Sequence, residues 1–414
     1  MDKMDTSNEM MTMDSNNNNG VTKIWCDGCY DITHFGHSNN LRQAKELGDV
    51  LIVGVHSDAE IEKNKGSRPV FTEEERYALI RGIKWVDQVI ENAPYCTTLE
   101  TLDKYECQFC AHGNDITTTD AGVDTYQMVK DAGRYKEVDR TQGVSTTDLV
   151  KRILKSDPTK NSDNSTVPEI ISPYTGSTQF LATTRKLKQF AAMKDPPPNA
   201  RVVYVAGTFD LFHPGHLAFL EAARALGDFL IVGLYDDTIS ARTSPTGIQF
   251  PIMTLLERVQ NILGYRVVDE VVIGAPFTIS RDLLDHLQVA VVAHGIETQI
   301  LPDPDTRKGL DFRGCYTHKN TKIYVEKATV PPISNLLDGR PQNPDPYEVP
   351  KSLGIFAEVD SGSTLVTRDL LDRVLANRAV YEKRNADKER KELARLHADL
   401  GKQEQIMANM QAED

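Results

Sequence analysis

Residues 205–237 lie without a gap on residues 26–58, and fifteen of the thirty-three aligned pairs are identical. VAGTFDLFHPGHLAFLEAARALGDFLIVGLYDD repeats CDGCYDITHFGHSNNLRQAKELGDVLIVGVHSD closely enough that the two stretches must be copies of one unit. Later landmarks recur in the same order. WVDQVIENAPY (85–95) meets VVDEVVIGAPF (267–277), AHGND (111–115) meets AHGIE (293–297), and DLVKRIL (148–154) meets DLLDRVL (369–375). Within each copy an apolar run, a tight turn, a helical stretch and a second apolar run follow one another. Apolar runs alternating with amphipathic helices predict parallel strands covered on both faces. The chain is therefore expected to be α/β, with two tandem Rossmann-like doubly wound parallel-sheet domains.

Composition shifts set the boundaries. The Met-, Asn- and Asp-rich stretch 1–20 reads as a disordered tail and 21–155 as the first copy. Residues 156–199, with SDPTKNSDNSTVPEIISPYTG and DPPPNA around a short helical piece, read as a linker. The second copy spans 200–376, and 377–414 is a charged helix with Glu and Lys/Arg spaced for i, i+4 pairing. That helix has few bulky apolar residues for insertion into a lipid surface, so any membrane contact is expected to be peripheral.

The 414 residues carry 47 Lys+Arg against 60 Asp+Glu, a formal net charge of −13, which argues against broad nucleic-acid binding. No apolar run approaches the ~18–20 residues of a membrane span. The opening residues lack both the basic and the apolar regions of a secretory signal, which predicts a cytoplasmic protein. Six cysteines in such a chain do not make a disulfide framework. The CxxC pairs Cys26/Cys29 and Cys107/Cys110 sit in apolar strand-like runs and read as small buried hydrophobes rather than zinc ligands.

The chemistry concentrates at His34-Phe35-Gly36-His37, after a predicted strand and at the start of a helix, and again at His213-Pro214-Gly215-His216. Glycine lets the backbone approach a ligand there. The free N–H groups of the helix start suit phosphate, and two imidazoles at i and i+3 reach one side of the turn. Together with Arg140-Thr141-Gln142-Gly143-Val144-Ser145-Thr146-Thr147, this motif resembles the double signature of the cytidylyltransferases, within the HxGH nucleotidyltransferase superfamily. The tandem arrangement over nearly the whole chain is similar to the branch of that family that uses phosphoethanolamine.

The resemblance implies CTP and phosphoethanolamine as substrates, Mg²⁺ accompanying CTP, and direct attack on the α-phosphorus with no covalent enzyme intermediate. It implies His34, His37, Lys65 and Arg140 as catalytic residues. A CTP site is implied at Gly28, Cys29, His112, Gly113, Asn114, Asp115, Arg140, Thr141, Gly143, Val144, Ser145, Thr146 and Thr147, with no protein metal ligands. Asp27, Tyr30, Tyr95 and Tyr126 supply a carboxylate and aromatic faces for a small ammonium. The second copy keeps His213, His216, Asp210, Arg258, His294 and Gly295. In it Ala206 faces Asp27, Thr246 faces Lys65, Glu297 faces Asp115, Ser361 faces Arg140 and Val366 faces Ser145. Catalysis is therefore expected in the first copy. For the second, two roles stand open: a nucleotide site lined by Val205, Ala206, His213, His216, His294, Gly295 and Ser361-Gly362-Ser363-Thr364-Leu365, or a scaffold. A homodimer and a pseudo-dimer of the two copies are both compatible with the sequence. Phosphocholine as acceptor and a non-catalytic nucleotide sensor are the competing functions.

Overall fold

The computed structural model describes residues 20–114, 118–119, 124–141, 143–156, 184–191, 196–243, 251–296 and 345–390. The first copy runs β1 (Lys23–Gly28), α1 (Phe35–Lys45), β2 (Val50–Val55), α2 (Asp58–Lys65), α3 (Glu73–Gly82), β3 (Gln88–Glu91), α4 (Leu99–Lys104), β4 (Phe109–Gly113), α5 (Gln127–Asp131), β5 (Tyr135–Val138) and α6 (Thr146–Lys155). After α7 (Thr184–Ala191) the second runs β6 (Val202–Gly207), α8 (Pro214–Arg224), β7 (Phe229–Leu234), α9 (Asp237–Thr243), α10 (Leu255–Leu263), β8 (Glu270–Ile273), α11 (Arg281–His286), β9 (Val289–Gly295), α12 (Glu348–Ser352), β10 (Phe356–Val359) and α13 (Thr367–Ala376). One turn residue, Asn377, separates α13 from a last helix, α14, described over 378–390.

Each copy folds into a five-stranded parallel sheet, in the order β3-β2-β1-β4-β5 and β8-β7-β6-β9-β10. The strands are the apolar runs the repeat predicts. β2 (VLIVGV) and β7 (FLIVGL) are buried almost throughout, because helices cover both faces of the sheet. Gly54 is required in β2, since a Cβ there would lie 2.5 Å from the Trp25 ring on β1. All strands run parallel, but the order in which they are added reverses beside β1, so the crevice at the carboxyl ends of β1 and β4 is the place where such a sheet binds ligands.

The copies pack through equivalent faces. α1 lies on α10, α3 on α8, and α6 on α13. The Lys84 amide donates to the Gly264 carbonyl and the Arg266 amide to the Gly82 carbonyl, each at 2.9 Å. A Cβ on Gly82 would fall 2.8 Å from Leu217, and one on Gly264 2.7 Å from Ser38. Arg152 makes a two-pronged pair with Glu257 at 2.7 and 2.9 Å, and Arg373 the equivalent pair with Glu75 at 2.6 and 2.8 Å. Each patch meets its own counterpart, which is the pattern of an isologous interface, here inside one chain. Apolar residues of both copies merge across it into a single core. The expected tail lies outside the described residues, as does most of the expected linker. Its described helix, α7, sets Phe190 edge-on against Trp85, ring centroids 5.3 Å apart.

Candidate active site

The turn after β1 is held in a shape most residues avoid. Tyr30 has φ 55° and Ile32 φ 43°, and Phe209 and Leu211 repeat this at 51° and 45° in the second copy. Left-handed backbone at non-glycine residues costs free energy, so something must hold it. Asp31 does so. Its buried carboxylate accepts from the amides of Ile32 at 3.1 Å and of Val70 and Phe71 at 3.0 Å. Arg76, fully buried, donates to the carbonyls of Cys29 (2.8 Å) and His56 (2.7 Å) and pairs with Asp58 at 2.7 Å. Arg258 makes the same set of bonds in the second copy, to Thr208, Tyr235 and Asp237. The arginine shared by both copies thus binds the frame of the turn.

That frame delivers the histidines. His34 is the N-cap of α1, and its Nδ1 accepts from the Gly36 amide at 3.2 Å. His37 Nδ1 accepts from the His34 amide at 3.3 Å. With each Nδ1 occupied as an acceptor, the proton of a neutral ring must sit on Nε2. The rings stack at 3.9 Å with 22° between their planes. Burial pushes the His34 pKa well below its usual value, helped by His37 and by the cations Arg140, Lys388 and Arg152. His34 therefore presents a neutral Nε2–H donor beside a helix N-terminus, with the His37 ring stacked on it and its own Nδ1 held by the His34 amide.

A second helix start converges on the first. Ser145 caps α6, accepting from the Asp148 amide at 3.1 Å and donating to its carboxylate at 2.7 Å. Thr146 Oγ1 donates to the Asp31 carbonyl at 2.9 Å, and a Cβ on Gly36 would stand 3.0 Å from Val144. Gly143, at φ 83°, takes the left-handed conformation that brings the loop in. Thr141 accepts from Asn39 on α1 at 2.8 Å. Arg140 carries its charge toward His34. Lys65 is the exposed last residue of α2, followed by left-handed Gly66 (φ 73°), and its charge reaches Cys29 and His56. Gln142 and Asp115 lie outside the described residues.

At the end of β1 the buried Asp27 carboxylate accepts from Thr97 Oγ1 at 2.7 Å and from Tyr126 Oη at 2.9 Å. Trp25 Nε1 in turn donates to Thr97 at 3.1 Å. His56 and Tyr95 close the same corner, rings 5.2 Å apart. Tyr126 lies tilted against His112, ring centroids 4.4 Å apart, and His112 Nδ1 lies 3.0 Å from the Gly113 carbonyl, so the corner runs on to the end of β4. Asn114 follows there. Tyr30 is placed differently from the other aromatic candidates. Its ring lies under Gly28, its hydroxyl is 3.5 Å from Cys26 Sγ, and it buttresses His37 edge-on at 5.6 Å. Cys29 is half-exposed at the turn, whereas burial pushes the Cys26 thiol up to about 12 and Cys107 up to about 11. Sequence reasoning missed Asp31, His56 and Thr97. Asp31 stands three residues before His34 in both copies, which was the available signal; His56 and Thr97 had none.

The cytidylyltransferase-like family model matches residues 25–152 and 204–349, one match per copy. Ethanolamine-phosphate cytidylyltransferase of Mus musculus is 46% identical over 91% of this chain and 92% of its own length. The Dictyostelium discoideum enzyme of that name is 42% identical over 92% and 98%, and that of Arabidopsis thaliana 38% over 89% and 84%. The chain belongs to the ethanolamine-phosphate cytidylyltransferase family.

For a cytidylyltransferase the second copy is altered at several points of contact. Ala206 replaces the carboxylate of Asp27 and packs on the apolar cluster that holds Tyr204 and Tyr347, and Tyr347 shares a hydrogen bond with Tyr235. His213 and His216 still stack, at 3.8 Å. His213 Nδ1, however, is buried without a partner, and its Nε2 lies 3.4 Å from Thr367 Oγ1. The Leu365 carbonyl would lie 2.6 Å from a Cβ on Gly215, so an acceptor oxygen of the loop rests against the helix start. Ser361, Gly362, Ser363 and Leu365 satisfy one another and Asp360 locally. Val205 is wholly buried in β6, and His294 is pressed against Tyr347 at 4.7 Å before Gly295 ends β9. Thr364 lies in the same loop; Thr246 and Glu297 lie outside the described residues.

Proposed function

We propose that the first copy transfers the cytidylyl group of CTP to phosphoethanolamine, giving CDP-ethanolamine and pyrophosphate, a step toward phosphatidylethanolamine. The observation that carries this is the pair of stacked imidazoles, fixed as Nε2–H donors at a helix N-terminus. A phosphate oxygen of phosphoethanolamine attacks the α-phosphorus of CTP, and the bond from that phosphorus to the bridging oxygen breaks as pyrophosphate leaves. No side chain is needed as nucleophile; the reaction needs alignment and neutralisation of spreading charge. His34 and His37 donate to the phosphates as charge builds. The start of α6, with Ser145, Thr146 and Thr147, receives the β- and γ-phosphates, Lys65 clamps the α-phosphate, and Arg140 holds the nucleotide. His112 and Gly113 line the cytidine end. Magnesium enters with the substrate as the CTP complex. Among the described residues no three His, Cys, Asp or Glu side chains gather to hold an ion.

Asp27 receives the ammonium. A primary ammonium donates hydrogen bonds to a carboxylate, whereas a quaternary one cannot and relies on aromatic faces. Asp27, already positioned by two neutral donors, favours the former. One chain with its internal interface is the working unit. No helix among the described residues is long and apolar enough to cross a membrane. A cytoplasmic setting accords with the free thiols of the described cysteines, and any membrane contact is peripheral. The test is product formation from CTP and Mg²⁺ with phosphoethanolamine or phosphocholine as acceptor, for wild type and Asp27→Asn. CDP-ethanolamine should dominate, and Asp27→Asn should raise the KM for phosphoethanolamine about tenfold or more while sparing that for CTP. CDP-choline as main product would overturn the assignment of Asp27, and no product would favour a nucleotide sensor.

A further inference from the structure

α14 continues the second copy yet packs on the first. Its start is fixed by Arg378, which donates to the Leu154 carbonyl at the end of α6 at 3.0 Å. Its last described turn is fixed by the pair of Glu389 with Lys151, also on α6. Between these anchors Tyr381 and Asn385 are buried to 4% exposure, while Glu382, Lys383, Ala386 and Arg390 face solvent. Buried positions at i and i+4 mark one face of a helix against a surface. Arg384 and Lys388 are half-buried at the edge of that face, and the Arg384 guanidinium lies 4.8 Å from the Tyr381 ring centroid. Asn385, between them, keeps both its amide nitrogen and oxygen without a protein partner. The helix pair α13 and α14 borders the frame of the turn after β1, where Arg373 donates to the Val70 carbonyl at 3.1 Å beside the amides that hold Asp31; from there the charge of Arg384 reaches Cys29, and that of Lys388 reaches His34.

We propose that α14, contributed by the second copy, supplies Arg384 and Lys388 as phosphate-neutralising side chains of the first copy's active site. The inference rests on the substrate reading above. A triphosphate and a phosphomonoester together bring more negative charge than Lys65 and Arg140 carry, and two further cations on a helix tied down at both ends raise the local potential without reorganisation. Arg384, whose charge reaches Cys29, serves the acceptor phosphate; Lys388, whose charge reaches His34, serves the triphosphate. The second copy thus completes a site outside its own sheet.

The experiment compares initial rates for wild type, Arg384→Gln, Lys388→Gln, the double variant, and the charge-keeping Arg384→Lys and Lys388→Arg. Rates are followed against each substrate at about 20 mM and about 300 mM salt, with melting temperatures measured alongside. Lys388→Gln should lower kcat/KM for CTP roughly fivefold at low salt, Arg384→Gln should do so for phosphoethanolamine, and the gaps should narrow at high salt. The charge-keeping variants should recover most of the loss. An active wild type whose double variant stays within about twofold at low salt would overturn the proposal. A loss insensitive to salt, tracking melting temperature and not recovered by the charge-keeping variants, would overturn it as well. A wild type making no CDP-ethanolamine would instead overturn the substrate reading.

Discussion

His34 shows how one residue serves structure and chemistry through different atoms. Its Nδ1 closes the helix cap, and that bond leaves the proton on Nε2, where a phosphate would lie. The same burial has a consequence for stability. His34, His213, His56 and His294 all have pKa values lowered by burial, and that of His216 falls to about 3 from an ordinary 6.5. A buried neutral histidine binds its proton more weakly in the folded chain than in the unfolded one. Below the ordinary value the unfolded state therefore takes up more protons, and stability is lost as pH falls. The full contribution is present above pH 6.5 and, for His216, declines progressively toward about pH 3. Melting temperature should drop by several degrees between pH 7 and pH 5, and His216→Asn should flatten that slope relative to its own pH 7 value. An unchanged slope in the variant would remove His216 from the account.

Among elements, the paired helices at the interface show that equivalent positions need not carry equal energy. The Glu257 side chain is wholly buried, whereas Glu75, its counterpart, keeps 16% of its surface and Arg373 keeps 34%. Removing the arginine from a buried pair strands a carboxylate in a poorly solvating interior, at a cost of about 3–5 kcal/mol, while an exposed pair contributes about 1 kcal/mol or less. Arg152→Met should therefore destabilise the chain by about 3 kcal/mol, and Arg373→Met by clearly less, in denaturant unfolding. Equal losses would mean that the interface is energetically symmetric.

What the sequence made legible follows from the same geometry. The repeat, both parallel sheets and the HxGH turns are written in contiguous residues, so pattern and spacing reach them. Ser145 reads as a helix cap for the same reason. His56 and Thr97 act from separate elements with no local signal, and for Asp31 only its recurrence three residues before the first histidine in both copies distinguishes a carboxylate that holds amides from one on the surface. Tyr30 has the right residue type and proximity in sequence, but a positive φ turns its ring under Gly28. α14 reads as a charged, solvated helix because its buried face is only Tyr381 and Asn385 wide. That it lies on the other copy is a tertiary fact that no window of sequence contains.

For the whole molecule, the duplication has become a division of labour. The first copy keeps Asp27, Arg140 and the imidazole pair whose two Nδ1 atoms are both held by backbone amides. The second has Ala206 packed on an apolar cluster with Tyr204 and Tyr347 in place of a carboxylate, and it lays the Leu365 carbonyl against its own helix start, where a phosphate would be repelled. It retains the Asp210 and Arg258 frame, in which Asp210 accepts from the amide of Ile252 while the Ile252 carbonyl accepts from Arg152 across the interface, and it extends α14 over its neighbour. The most direct test of this asymmetry is the rate of CDP-ethanolamine formation by His34→Asn and by His213→Asn, each checked for folding. The account predicts a fall of about 10²-fold or more for His34→Asn, the scale expected when one transition-state donor is removed, and a kcat within about threefold of wild type for His213→Asn. A collapse of turnover in a folded His213→Asn chain, or its survival in His34→Asn, would contradict it.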